Sequence, residues 1–406
     1  MNNSIFPNST LNIRPVKFRD LEAIANLLEE SNSEERKATK EFLYQQIKKF
    51  QSFYGLLQLC QLFPHSINNE FFIYVGEQNN NLKGLIQVSP NNKNRSTWRV
   101  EQVIINQNLP ANQLLIGSTN IGSQLLRHCF EKIWEARTWV LEVNVNEKES
   151  LGLYRQNGFQ PLAQLTYWCC PLSLLQQLAE NEPDLPNLLP ISNSDARLLY
   201  QLDCVSMPPL LRQVFDRHIE DFKTGLITYL TEQINQWLNK KEVVSGYVFE
   251  PQRKAAIGYF KLELSLDGTH AHQAKLTVHP AYTWLYPKLL NQMAVIIQRV
   301  APQSLQLSSA DYQPEREQYL EKLGAKRIEH TLLMSRSVWH KLKESKPLEA
   351  LNLPEVLQGL QPARNPIPTP WVKSMLAQSF PSLLHQDKLN SSLSKSKKSS
   401  DKNKNE

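Results

Sequence analysis

The residues from Ile116 to Phe130, "IGSTNIGSQLLRHCF", run from a small polar turn into a helix, and that arrangement can hold an anion. The first turn of a helix carries unpaired N–H groups and the positive end of the helix dipole. Ser118, Thr119, Asn120 and Gly122 are small enough for a diphosphate to approach the backbone. Asn120 also tolerates positive φ. The same letters describe an ordinary helix start, because Ser, Thr and Asn are common N-caps. Both readings stay open at this level. Metal chemistry has less to stand on. Cys60, Cys129, Cys169, Cys170 and Cys204 form no C-x-x-C pair, no Cys/His cluster has zinc spacing, and no metal is expected. Cys129 falls on the apolar face of the helix and His128 is expected to face solvent, so neither is given a role.

The elements around this stretch read as mixed α/β. "LNIRPVKFRDLEAIANLLEES" gives a short alternating segment and a helix from about Asp20. Leu43, Ile47, Phe50, Tyr54 and Leu57 then recur at helical spacing. "FFIYVGEQNNNLKGLIQVS" reads as a β-hairpin about an Asn-rich turn containing Gly84, and "STWRVEQVIINQ" as a third strand. Alternation puts Glu101, Val103 and Ile105 on one face and Val100, Gln102 and Ile104 on the other. After the helix from Ile121 come the strand "RTWVLEVNV", a short helix stopped at Asn157-Gly158, and the strand "GFQPLAQLTYWCC".

At this point the chain resembles the GNAT superfamily of acetyl-CoA-dependent N-acetyltransferases. The family's Q/R-x-x-G-x-G/A loop corresponds to Gly117-Ser118-Thr119-Asn120-Ile121-Gly122, its Leu-Tyr pair to Leu153-Tyr154, and its Gly-Phe step to Gly158-Phe159. Gly117 and Asn120 depart from the family's residues. The resemblance implies an acetyl-CoA site made by Gly117 to Ser123 with Asn146, and main-chain groups of Val103 and Ile105 for the pantetheine arm. An attacking amine of lysine type has a pKa of ~10.4 and must lose a proton. The resemblance implies Glu101 as the base and Tyr154 as the acid for the departing thiolate. Glu101 could equally be an exposed edge residue, and Tyr154 could simply pack in the core.

The pattern then partly repeats. "NEPDLPNLLP" reads as a linker, and beyond it "KAAIGYFKLELS", "AHQAKLTVHP" and "SLQLSSAD" read as strands, with the helix "PKLLNQMAVIIQRV" between the last two. "YLEKLGAKRIEHTLLMSR" mirrors "LYRQNGFQPLAQLTYW", with Gly324 166 residues after Gly158. Leu320 then stands in the place of Tyr154, and Trp284, Tyr286 and Pro287 in the place of the small polar loop. The expectation is two tandem GNAT-like domains, 1–176 and 190–345, joined by a linker at 177–189. The second is degenerate and does not bind CoA. A Pro-rich and then Lys/Ser/Asn-rich tail follows at 346–406, with a composition expected to be disordered.

The totals agree with an enzyme of this kind. The 406 residues are 41% hydrophobic and 21% charged, within the range of soluble globular proteins. Half of the net +6 comes from the six lysines and three acids after Pro381, so the body's charge gives little support for nucleic-acid binding. The first residues, "MNNSIFPNST", lack a basic region followed by an apolar run, and no apolar segment is long enough to span a bilayer. A reduced, cytoplasmic N-acetyltransferase is expected, acting on a small-molecule or protein amine with acetyl-CoA as cosubstrate. The alternative is a non-catalytic acyl-CoA-binding or scaffolding protein of the same fold.

Overall fold

A computed structural model describes residues 11–30, 72–79, 81–106, 121–225 and 240–339. The expected helix at Leu43–Leu57, the loop residues Gly117–Asn120 and the tail from residue 346 lie outside them. The first half contains β1 (Asn12–Pro15), α1 (Leu21–Glu30), β2 (Phe72–Gln78), β3 (Asn81–Pro90), β4 (Thr97–Ile105), α2 (Ile121–Lys132), β5 (Thr138–Asn144), α3 (Lys148–Gln156), β6 (Gln160–Cys170) and α4 (Leu172–Ala179). The second contains β7 (Leu188–Pro190), α5 (Ala196–Ser206), α6 (Pro209–Phe215), β8 (Lys241–Glu250), β9 (Ala255–Ser265), β10 (His272–Val278), α7 (Leu285–Ile297), β11 (Leu305–Ala310), α8 (Pro314–Lys322) and β12 (Lys326–Ser337). The sequence reading passed over α4, α6 and β8, and α4 enters the stretch taken as the linker. Among the described residues no helix is long and apolar enough to cross a membrane.

The twelve strands of the described residues join one sheet in the order β1-β2-β3-β4-β5-β12-β6-β11-β10-β9-β8-β7. The two halves therefore share their centre. Each half's last strand lies beside the other half's fifth: β12 pairs with β5, and β6 pairs with β11, all antiparallel. β6 and β12 also pair with each other. The helices α2, α3, α7 and α8 cover one face. Their two cores are centred on Trp98, Trp139 and Phe130 in the first half and on Phe260, Leu289 and Met293 in the second. On the opposite face, α1 packs over β3 and β4, α5 over β9 and β10, and α6 beside Ala163 and Leu333.

Local chemistry explains the repeated elements. α3 and α8 both end in a glycine with positive φ, Gly158 at 80° and Gly324 at 86°. The amide after each glycine bonds back to the helix, Phe159 N–H to the Tyr154 carbonyl and Ala325 N–H to the Leu320 carbonyl, both 3.1 Å. This is the backbone signature of a Schellman stop, and only glycine adopts its left-handed residue cheaply. It makes Tyr154 and Leu320 structural counterparts. Close packing sets a second pair of glycines. A Cβ on Gly84 would lie 3.2 Å from Ile121, and one on Gly258 would lie 3.1 Å from Leu285, so each allows the helix after the fourth strand to approach the sheet. Gly84 therefore sits inside β3, and the hairpin turn expected to contain it is made instead at Asn79, with φ 53°.

Candidate functional site

β4 and β5 run parallel and pair only from Thr97↔Thr138 to Val100↔Leu141, although β4 continues to Ile105 and β5 to Asn144. Past that point the strands part. A bulge marks the place on β4: Val88 faces Val100 and Gln87 faces Gln102, so Glu101 is the extra residue. The bulge corrects the alternation expected from sequence. Val100, Val103 and Ile105 all pack toward α2, while Ile104 packs toward α1. Val100 and Val103 share a face despite being three residues apart, because the extra residue shifts the pleat.

Glu101 projects on the face opposite α2. Its carboxylate accepts a 2.5 Å hydrogen bond from Ser89 and lies 3.4 Å from the Arg99 guanidinium. Arg99 also reaches Glu142 on β5 at 3.2 Å. Glu142 in turn accepts hydrogen bonds from the Tyr167 and Thr331 hydroxyls, both 2.6 Å. Burial and the neighbouring Glu142 carboxylate push the Tyr167 phenol up, so it remains a donor at neutral pH. This chain of partners crosses the opening of the split and ties β4, β5, β6 and β12 together. Sequence reasoning missed Arg99, Glu142 and Tyr167. The lone acid inside the apolar run "WVLEVNV" was a readable signal for Glu142, but nothing local pointed to Tyr167.

On the α2 side the split is lined by apolar groups. A Cβ on Gly122 would lie 2.8 Å from Leu153 and 3.0 Å from Ile105, so its small size has a packing reason of its own. Ser123 is buried, and its hydroxyl accepts a 2.8 Å hydrogen bond from Asn157, which also donates to the Leu153 carbonyl at 2.8 Å. Through that bridge the first turn of α2 is fixed to the end of α3. Tyr154 is 7% exposed and meets Phe159 edge-on at 5.9 Å. Asn146 is exposed in the turn before α3, and its backbone N–H donates to Asn144 Oδ1 at 2.9 Å. His128, expected to face solvent, is half-buried edge-on against Tyr74 at 5.1 Å, and burial lowers its pKa. Val103, Ile105, Ile121, Gly122, Ser123 and Tyr154 are thus brought to one side of the split and Glu101 to the other. The remaining loop residues are outside the described set.

An extended ligand bearing amide groups suits this opening. Among the described residues, the sheet gives β4 no partner on the β5 side beyond Val100, which leaves main-chain donors and acceptors there beside an apolar wall. The second half has a matching split, with β10 and β11 paired only over His272–Ala274 and Leu305–Leu307. That one is occupied by protein. Arg316 of α8 is 5% exposed and donates from Nη1 to the Leu276 carbonyl on β10 at 2.9 Å. Trp284 is half-exposed and Tyr286 is buried in the core, so bulky rings flank the start of α7.

No family model matches the sequence, and no curated protein matches it. Two solved structures are similar to the chain over most of its length. A GCN5-related N-acetyltransferase from Sphaerobacter thermophilus is 12% identical, with 83% of this chain and 98% of that one covered, at a TM-score of 0.50. A tandem GNAT protein from the clavulanic acid biosynthesis pathway is 11% identical, with 82% of this chain and 100% of that one covered, at a TM-score of 0.51. At such identity the likeness is one of fold.

Proposed function

We propose, from the tandem GNAT fold that this chain has, that it transfers an acetyl group from acetyl-CoA to an amine at the split between β4 and β5. The observation that carries the reading is the contrast between the two splits. The first opens at a bulge bearing Glu101, beside Tyr154 and the start of α2, whereas Arg316 fills the second. The chain is read as two GNAT-like units, 1–176 and 190–345 joined at 177–189, with one working cosubstrate site in the first.

In this reading the main chain at Val103 and Ile105 would hold the amide-bearing arm. The diphosphate would rest on Gly117 to Ser123, with Asn146 at the turn nearby. The thioester supplies an activated acetyl carbon. Glu101 takes the proton that the amine must lose, with Arg99 and Ser89 fixing its carboxylate. The new C–N bond forms as the C–S bond breaks, and Tyr154 gives its phenolic proton to the departing sulfur. Leu320, the counterpart of Tyr154, has no proton to give. Replacing Tyr154 by Phe keeps the ring that packs on Phe159 and removes the phenolic proton. The expected outcome is unchanged acetyl-CoA binding with CoA release slowed by about 10²-fold or more. Undiminished release from a panel of amines would remove Tyr154 from the chemistry. Cosubstrate binding with no release from any amine would favour the acyl-CoA-binding scaffold instead.

A further inference from the structure

A second carboxylate stands beside the first split and faces the same guanidinium as Glu101. Arg99 lies between the two: its Nε is 3.4 Å from Glu101, and its Nη2 donates to Glu142 at 3.2 Å. One cation shared by two carboxylates leaves one negative charge in excess. The two acids differ in their surroundings. Glu101 is within reach of solvent and has Ser89 as its other donor. The Glu142 side chain is only 12% exposed. Its Oε1 accepts from the Tyr167 and Thr331 hydroxyls, both at 2.6 Å, while its Oε2 faces Arg99. Three donors on so enclosed a group fix its position and suit its charge.

These donors come from both halves. Tyr167 lies on β6, between Ser308 of β11 and Glu329 of β12. Thr331 lies on β12, is buried, and sits between Asn144 of β5 and Leu165 of β6. A residue of the second half therefore donates directly into the polar network of the first split. The remaining groups on this face are otherwise engaged. Glu329 accepts from Asn144 at 2.9 Å, and Lys275 of β10 feels Arg99 less than it feels Lys261 and Glu263. The helices over the face bring no further charge to Glu101 and Glu142: α1 sets Ile24 near Ile104, and α6 presents Leu211 and the Val214 carbonyl, which the Thr97 hydroxyl bonds.

We propose that Glu142 is a positioning residue for the reaction at the first split, acting through Arg99 on Glu101, and that the second half holds it in place through Thr331. An arginine bound to one carboxylate alone favours the anion and makes it a poorer proton acceptor. A second carboxylate on the same arginine opposes that effect, so Glu142 keeps Glu101 ready to take the proton of the amine. The degenerate half then has a part in the chemistry although its own split is filled. The inference rests on Glu101 as the base of an acyl transfer, but the coupling of the two carboxylates is measurable without any acceptor.

Carbon NMR of the full-length chain, labelled at its glutamate carboxyl carbons, follows that coupling, with Glu101→Gln identifying the Glu101 signal. Glu142→Gln keeps the size of the side chain and an oxygen for the two hydroxyls while removing the charge. It is expected to move the Glu101 titration to lower pH by about half a unit or more. With a panel of amines, the same variant should lower kcat for CoA release by about tenfold and move the acid limb of the rate profile to lower pH. Its affinity for acetyl-CoA should stay unchanged, which shows the fold intact. Thr331→Val should also lower kcat, and Thr331→Ser, which restores the hydroxyl, should recover it. A Glu101 titration that stays in place or moves to higher pH in Glu142→Gln, or an undiminished kcat in Thr331→Val, would overturn the inference. A displaced Glu101 signal with no CoA release from any amine would instead overturn the acyl-transfer reading and leave the coupling standing.

Discussion

Glu101 owes its placement to one extra residue in β4. A regular strand would have turned it to the face of Val103 and Ile105; the bulge turns it to the opposite face, where Ser89 and Arg99 hold it. Sequence alternation cannot show a bulge, because the shift of pleat lies in pairing with β3 and leaves no local mark. If Glu101 is the base, Glu101→Gln keeps the size and the Ser89 bond while removing the proton acceptor. It should slow CoA release by about 10²-fold at neutral pH and less as pH rises, since a free amine then needs no base. A uniform loss across pH would assign the residue to binding. Glu101 was legible as a candidate only through the family resemblance, which implies a carboxylate on that strand. Its partners Glu142 and Tyr167 were not, since they come from strands 41 and 66 residues further along.

At the scale of elements, glycine separates packing from flexibility. Gly84 leaves no room, because a Cβ there would lie 2.8 Å from the Ile104 carbonyl and 3.2 Å from Ile121. Gly152, inside α3, meets nothing within 4 Å. Gly84→Ala is therefore expected to destabilise by about 1–3 kcal/mol through overpacking. Gly152→Ala is expected to stabilise by about 0.5–1 kcal/mol through helix propensity. Denaturant midpoints of the two variants check both signs. The β1–α1 corner gives a pH test. Asp20 is buried and accepts from both terminal nitrogens of Arg14, at 2.6 and 2.8 Å. Its Arg14 partner holds the carboxyl below its ordinary value, against desolvation, which acts upward. A depressed folded pKa stabilises fully above the ordinary carboxylate value of ~3.9 and loses that contribution as pH falls through the folded value. Arg14→Met should then lower the melting temperature at pH 7, with the difference from wild type shrinking below about pH 4. A difference independent of pH would mean that Arg14 acts by packing alone.

For the whole molecule, the repeat was legible where local physics repeats. Gly158 and Gly324 both need the left-handed region at a helix end, and that need marks the sequence. The crossing of β6 and β12 was not legible, because either strand would satisfy its own half equally well by pattern. Nor was the role of Arg316, whose place in the second split is set by a carbonyl 40 residues away. The crossing makes the halves interdependent. Removing residues from 326 onward takes β12 from between β5 and β6, so the whole described sheet should lose cooperative unfolding, including the first half; a folded first half in that variant would argue against such coupling. The division of labour between one open and one filled split is most directly tested by amide hydrogen exchange with and without saturating acetyl-CoA. Protection is predicted in residues 101–106 and 121–124, with 275–288 unchanged. Protection confined to 275–288, or none in either half, would contradict it.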